Sequence, residues 1–554
     1  MGFHIAIIGG GISGLSAAYY LQQLAAHGHR RLQITVFERK PAFGGNADTV
    51  AVTLGQWQDA QGQPRGDFVR WADLGVNDVN LSTYHRLGAC MADLGYLRHM
   101  KPLQDTESYF TADGRHVLTD DASLFEGVSD PRFNLAQAEG GELARLIKVV
   151  HQHALDLVRD TGSQPPKVDA RYTVARYFED CIADPEGQLW ATARDLGIAI
   201  DWTEPALGER LRRIRDEVYY PRISAMYFTD DRTGPGGMPL QSPFQYYQVQ
   251  EGSDQAVPPK RCYFAYGAQH WLDTLAATLE ARSTDHVGVR CLRGQDVRVR
   301  VSPAGAVVTP REGEPVHVDL VLTALHADDT LRALDLSGLP AYQEEGLRRT
   351  LSRVRYTRSY GVCHTDDALL PRSRAAWRTY NVLVHPRDQQ AQPYRMSYVE
   401  NFHQNDAANP ALDRINMPMY FTSLLPDLHL VNPAAVLDRT TGATLPPALL
   451  DALPHLAQAH AGSDHPPTGY SHELEAVSPT HRGKAWALFK HNVLDLACIE
   501  AQERTLALNL GNAQQPQMPL FFGGGWTNGA GLHEQCMAQS ELMAGWAMAY
   551  LDRH

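Results

Sequence analysis

The sequence has no CxxC pair, no HExxH motif, no long apolar run and no excess of positive charge, and each absence excludes a class of protein. The seven cysteines, at positions 90, 181, 262, 291, 363, 498 and 536, follow no short regular spacing. Neither a zinc site nor a secreted disulfide framework is expected, and a reducing cytoplasm is the expected location. No stretch approaches the roughly 18 consecutive apolar residues of a spanning helix. The apolar start, Phe3 to Ile8, runs at once into three glycines without a basic segment or a cleavage site. We expect no transmembrane segment and no signal peptide, while peripheral membrane contact stays open. The 50 basic residues face 63 acidic ones, and the net charge of −13 has the wrong sign for a nucleic-acid protein. A small-molecule substrate is the expected partner, and the oligomeric state is left open.

Two further chemistries fail on spacing. His533-Glu534 is followed by Met537 and His472-Glu473 by Ala476, so neither supplies the second histidine of a zinc helix. No metal is expected. A hydrolase elbow GxSxG fails at Gly11-Ile12-Ser13 because position 15 is Leu.

The chain does have glycine in two informative places. His4 to Ile8 reads as a short apolar strand, Gly9-Gly10-Gly11-Ile12-Ser13-Gly14 as a turn, and the following Ala- and Leu-rich stretch as a helix ending near His27-Gly28. A second strand, Leu32 to Phe37, closes on Glu38. Gly9, Gly11 and Gly14 fill GxGxxG in the strand-to-helix context that a dinucleotide site requires. Gly9 would make the tight turn, Gly11 would let backbone N–H groups reach a pyrophosphate, and Gly14 would let helix and strand pack closely. Glu38, 24 residues beyond Gly14, would accept hydrogen bonds from a ribose and disfavours a 2′-phosphate. Near the other end, Leu520 to Phe522 reads as a strand, Gly523 to Gly529 as a glycine-rich turn and Leu532 to Tyr550 as a long helix. Two such cradles suit one large cofactor. Between them, Ala136 to Leu157 reads as helix, Thr229 to Lys260 as a long irregular connection, and Val297–Val301, Ala306–Thr309 and Val316–Ala324 as strands. Pro/Gly/Asp/His clusters mark loops near 404–413 and 461–469.

These residues carry a resemblance. IAIIGGGISGLSAAYYL, VFERKPAFGGNADTV and the closing FFGGGWTNGAGLHEQCMAQSELMAGWAM resemble the FAD-binding segments of the flavin amine oxidase and phytoene desaturase superfamily. GAQHWLDTLAATL, LVLTALHADDTLRAL, CHTDDALLPRSRAAW and KHNVLDLACIEAQ are similar, more narrowly, to a bacterial branch of FAD-binding oxidoreductases associated with modified fatty acids. The resemblance implies an α/β fold in which a Rossmann-like FAD-binding domain (1–85, 262–330 and 478–554) is interleaved with an α+β substrate domain (86–261 and 331–477). It implies that Gly9, Gly11, Ile12, Ser13 and Gly14 hold the pyrophosphate, and that Glu38 and Arg39 lie at the ribose. Gly44 and Gly45 would form the turn beside the phosphates, and the Val297 backbone would pair with adenine. Thr527, Gly531, Leu532 and His533 would lie along the ribityl chain and the flavin, and Trp526 either packs on the cofactor or closes the core. Ala42 and Asn46 replace basic residues common in relatives, and Gly525 replaces an acid. Trp71 to Asp78 resembles the segment leading toward substrate, although its polar residues could equally cap a turn.

The implied activity is FAD-dependent oxidation of a small organic substrate by hydride transfer to flavin N5, as acyl-chain desaturation or double-bond isomerisation. Amine or amino-acid oxidation releasing hydrogen peroxide is the alternative, and a non-catalytic FAD-binding protein a third reading. Catalytic candidates are His533 and Glu534, at the start of the last helix, and His491 in KHNVLD; the first two serve equally as residues interacting with the helix dipole. Tyr219, Tyr220, Phe244, Tyr246, Tyr247 and Trp271 either line an apolar tunnel or belong to the core.

Overall fold

The computed structural model describes residues 2–26, 31–58, 61, 63–112, 116–120, 142–159, 165–230, 233–252, 259–385, 394–404, 419–440 and 483–553. The expected loop clusters near 404–413 and 461–469 lie almost wholly outside the described residues. So do the N-terminal part of the helix expected from Ala136 and the expected helix end at His27-Gly28.

The central layer is a five-stranded parallel sheet formed by β1 (Gly2–Ile8), β2 (Arg31–Phe37), β3 (Val287–Leu292), β4 (Leu320–Thr323) and β5 (Leu520–Phe522). Its spatial order is β3-β2-β1-β4-β5. The inner strands are continuous apolar runs because helices cover the sheet. Helix α1 (Ile12–Ala26) packs on α2 (Ala268–Ala281) and on α4 (His533–Leu551), and α4 also packs on α3 (Leu496–Gln514). Buried on most sides, α1 carries eleven buried residues and little amphipathic contrast. The two sequence ends meet here, and the Ser540 hydroxyl donates to the Ser13 carbonyl at 2.8 Å.

A second, seven-stranded sheet holds strands Trp486–Asn492, Tyr356–His364, Phe421–Leu425, Met396–Val399, Tyr380–Val384, Glu107–Thr111 and His116–Asp120, in that spatial order. Strand Trp486–Asn492, although close in sequence to the last cradle, pairs antiparallel with Tyr356–Val362 in this second sheet. That pairing carries Lys490 and His491 to the junction between the layers.

Two expectations need correction. The stretch Val316–Ala324 is two strands: Val316–Val318 pairs antiparallel with Gly305–Pro310, whereas β4 runs parallel to β1. Asp319 makes the switch, its N–H donating to the His4 carbonyl at 2.9 Å while its carboxylate accepts from the His4 N–H at 2.7 Å. The described part of 229–260 is largely helical rather than irregular, with Thr233–Gly237, Gln241–Tyr246 and a π-type turn Tyr247–Glu251. Burial of Phe244 and Tyr247 against His151 and Tyr219 overrides its proline and glycine content. Tyr219, Tyr220, Phe244, Tyr247 and Trp271 are therefore buried core side chains, whereas Tyr246 lines a cavity.

Candidate active site

A cavity of about 870 Å3 lies at the carboxyl edge of the parallel sheet and extends to the seven-stranded sheet. Ligands bind outside the carboxyl ends of such strands, where connections leave a crevice. Gly9, Gly11, Ile12, Ser13, Glu38, Arg39, Gly44, Gly45 and Val297 line one end, and Trp526, Gly531, Leu532 and His533 line it from the second cradle. Residues more than 500 positions apart in the chain thus face one space.

The glycines divide by function. A Cβ on Gly14 would stand 1.8 Å from the Gly9 carbonyl oxygen, so Gly14 serves the packing of α1 on β1 and does not line the cavity. A Cβ on Gly11 would meet only the backbone of Gly44 and Gly45, at ordinary distances of 3.5 to 3.9 Å. The protein itself would tolerate a side chain there, and the space it leaves lies before the N-terminus of α1, where N–H groups favour an anion. Glu38 accepts the Gly10 N–H at 2.7 Å on one oxygen and the Lys40 N–H at 2.8 Å on the other. Each oxygen keeps acceptor capacity for a ribose hydroxyl. Val297 is fixed beside it by the neighbouring Gln295 N–H, which donates to the Glu38 carbonyl at 2.8 Å.

The second cradle also offers open valences. Trp526 is 1% exposed and lines the cavity, yet its indole N–H has no hydrogen-bond partner among the described residues. The same holds for Nδ1 of the buried His533, and burial holds that imidazole down at about 4, so it is neutral at physiological pH. These orphaned atoms, with the cradle at Gly11, fit a large dinucleotide cofactor. Thr527 does not reach the cavity; its hydroxyl donates to the Gly524 carbonyl at 2.7 Å and closes the turn.

Glu534 turns elsewhere. Its carboxylate accepts the backbone N–H of Arg86 at 3.0 Å and of Leu87 at 3.1 Å, at the start of helix His85–Asp93. It therefore caps a neighbouring helix whose own N-cap residue, Tyr84, makes no side-chain cap. His491 does line the cavity, with its ring edge against Phe228 at 3.8 Å between centroids. Burial, and secondarily the nearby His326, hold its imidazole down at about 3. Phe228 adopts φ 53° and ψ 42°, the left-handed region in which a bulky side chain is strained, and it too lines the cavity.

Several lining residues were not singled out from the sequence. Lys40, Arg298 and Arg332 join Arg39 at the cofactor end, and Lys490 is buried there between the carboxylates of Asp328, at 2.7 Å, and Asp329, at 3.1 Å. His326 bonds Asp329 at 3.1 Å; an ionised carboxylate only accepts, so Nδ1 carries the proton. His326 and Lys490 lie inside stretches that resemble the bacterial branch, so a signal existed. At the inner end the wall changes to Asp78, Glu107, Arg222, Glu251 and Arg261 with Tyr84, Tyr109, Tyr246, Tyr380 and Tyr398, and nothing in the sequence groups these residues.

Comparison with known proteins agrees with this geometry. Residues 7–87 match the family described as the NAD(P)-binding Rossmann-like domain. No curated protein matches the sequence. Among solved structures, cyclohexylamine oxidase from Brevibacterium oxydans IH-35A is similar over 100% of both chains, at 14% identity and a TM-score of 0.51. The CLA-producing fatty acid isomerase from P. acnes covers 98% of each chain at 13% identity and a TM-score of 0.52. A provisionally assigned protoporphyrinogen oxidase from Exiguobacterium sp. 255-15 covers 100% of this chain and 99% of its own, at 14% identity and a TM-score of 0.52. The chain has their fold. That fold places both glycine cradles on one cavity. Among the described residues no helix is long and apolar enough to cross a membrane, and no group of three or more His, Cys, Asp and Glu side chains is arranged to hold a metal ion.

Proposed function

We propose that the protein is an FAD-dependent oxidoreductase acting on a small organic substrate. The observation that carries this reading is the convergence of the Gly9–Gly14 and Gly523–His533 cradles on a single cavity, with room left at Gly11 and unpartnered polar atoms at Trp526 and His533. Bound there, FAD supplies a hydride acceptor at N5. The chain supplies the rest. The N-terminus of α1, with Gly9, Gly11, Ile12 and Ser13, holds the pyrophosphate beside the Gly44-Gly45 turn, and Glu38 holds the ribose. The strand at Val297 lies at the adenine. Gly531, Leu532 and His533 place the start of α4 beside the flavin, where N–H groups and the helix dipole favour developing negative charge. His491, neutral and cavity-facing, is assigned a substrate- or flavin-facing role; Glu534 is given none. We keep the division into cofactor segments 1–85, 262–330 and 478–554 and substrate segments 86–261 and 331–477, with strand Trp486–Asn492 reaching from the first unit into the sheet of the second. The seven cysteines are all unpaired, which supports a reducing cytoplasm.

The test is flavin retention. The purified protein should carry the flavin absorbance band, and Gly11→Val should lose FAD affinity at least about 100-fold while the circular dichroism of the apoprotein is unchanged. Normal flavin occupancy in a folded Gly11→Val protein would refute the placement. Flavin retained without bleaching by any reductive substrate would favour the non-catalytic reading.

A further inference from the structure

We propose that Phe228 is the positioning residue of His491: it holds the imidazole in one orientation, with Nδ1 shut away from water and the opposite edge of the ring presented to the cavity. The inference rests on the reading that His491 faces substrate or flavin, and names what keeps it there.

The backbone supplies the first observation. Among the described residues Phe228 is the one non-glycine residue with a positive φ, at 53°. It closes helix Tyr220–Tyr227 in the left-handed conformation that glycine ordinarily provides at a helix end. A phenylalanine persists there only where its surroundings over-determine it, and such residues cluster at ligand sites. The surroundings do so here. The N–H groups of Phe228 and Thr229 both turn back to the Ser224 carbonyl, the second at 3.2 Å, and the Tyr394 N–H donates to the Thr229 carbonyl at 3.3 Å.

The side chains supply a second, independent observation. The Phe228 ring touches Tyr394, at 5.2 Å between centroids, and His491, at 3.8 Å and an interplanar angle of 67°. Tyr394 is buried and its hydroxyl lies 2.7 Å from that of Ser359, so this neighbour is itself fixed. Thr357 stands opposite His491 on the adjacent strand, and its hydroxyl lies 3.2 Å from the Tyr227 carbonyl and 3.4 Å from the His491 carbonyl. One hydroxyl thus ties the end of the helix to the strand that carries His491.

His491 has need of such holding. A functional imidazole is usually aimed by a hydrogen bond to its other nitrogen, but Nδ1 of His491 is buried without a partner among the described residues. The aromatic contact takes the place of that bond. Burial keeps the ring neutral; His326, the other titratable group that acts on it, lines the same cavity and is likewise held down by burial. Lys490, next to it on the strand, is paired with Asp328 and Asp329.

The experiment is NMR of the full-length protein with FAD added and its histidine rings isotopically labelled, the His491 signal being the one lost in His491→Asn. In the unaltered protein that signal should report a neutral ring down to about pH 5, whereas an unperturbed imidazole takes its proton near 6.5. Phe228→Gly removes the ring yet suits the backbone, and should raise the proton affinity of His491 at least about tenfold. Phe228→Tyr, which keeps the ring, should titrate as the unaltered protein does. A side chain that merely fills space would change stability in Phe228→Gly and leave the His491 titration where it was. That result would overturn the proposal, as would a Phe228→Tyr protein that titrates like Phe228→Gly. So would a His491 that titrates near 6.5 in the unaltered protein, a measurement that needs no variant. A protein that never retains flavin would instead sink the oxidoreductase reading, and the His491 titration is read separately from it.

Discussion

At the cofactor end the cavity is framed by glycine turns, helix starts and the strand at Val297, with the cationic residues Arg39, Lys40, Arg298 and Arg332 among its lining. At the inner end it is side chains, ten of them charged or phenolic, carried by strands Asp78–Asn80, Glu107–Thr111, Arg261–Phe264, Tyr380–Val384 and Met396–Val399, helices Tyr220–Tyr227 and Gln241–Tyr246, the turn ending at Glu251, and Tyr84 just before helix His85–Asp93. Backbone amides serve any ligand with phosphates, so the first end is general. Buried ion pairs of fixed geometry accept few ligands, so the second end is selective. Selectivity here depends on buried charges that are costly to unpair, and the two ends should fail in different ways.

Removing a charge from the inner end should have the largest effect. Arg261→Leu leaves Asp78 and Asp105 without their cation and should destabilise the fold by about 3–5 kcal/mol in chemical denaturation. A loss below about 1 kcal/mol would mean that the pairs are no more than surface-like. Acid should act between the two ends, where His491 is held at about 3 and His533 at about 4 by burial. An unfolded imidazole takes its proton near 6.5 and these folded ones do not, so stability is full above about 6.5 and falls as the pH drops toward 3 to 4. By pH 5 the loss from His491 alone is roughly 2 kcal/mol. Asp105, raised to about 6, works in the opposite direction, its penalty easing as the pH falls. A His491→Asn protein should therefore show a flatter stability profile between pH 6.5 and 5, and an unchanged profile would contradict the buried neutral state. The smallest change is expected outside the cavity: Glu534→Gln should cost about 1 kcal/mol through the helix His85–Asp93 and leave flavin absorbance as it was. A perturbed flavin spectrum would return Glu534 to the site.

The same contrast explains how much could be read beforehand. Gly9, Gly11, Gly14 and Glu38 act through local spacing along a single strand-turn-helix unit, so their pattern survives in one dimension. The second cradle, Gly523 to His533, was equally visible. Thr527 and Glu534 were placed by proximity to that turn, but neighbouring residues on a turn and helix start point in different directions, and these two face a carbonyl and another helix. Asp319 divides one apolar run between two sheets, a decision made by its bonds to His4 across 315 positions.

By itself the sequence determined that a glycine-rich strand-turn-helix unit lies near each end of the chain, in the pattern that a large anionic cofactor requires. Those properties depend on backbone conformation, which residue types control locally. Only the tertiary structure decided that the two cradles share one cavity, that Lys490 and His491 enter it from the other sheet, and that Asp78, Glu107, Arg222, Glu251 and Arg261 form one buried group. Burial strengthens the interaction of charges and withholds the water that would otherwise screen them, and which charges are buried together is a property of packing, not of spacing along the chain.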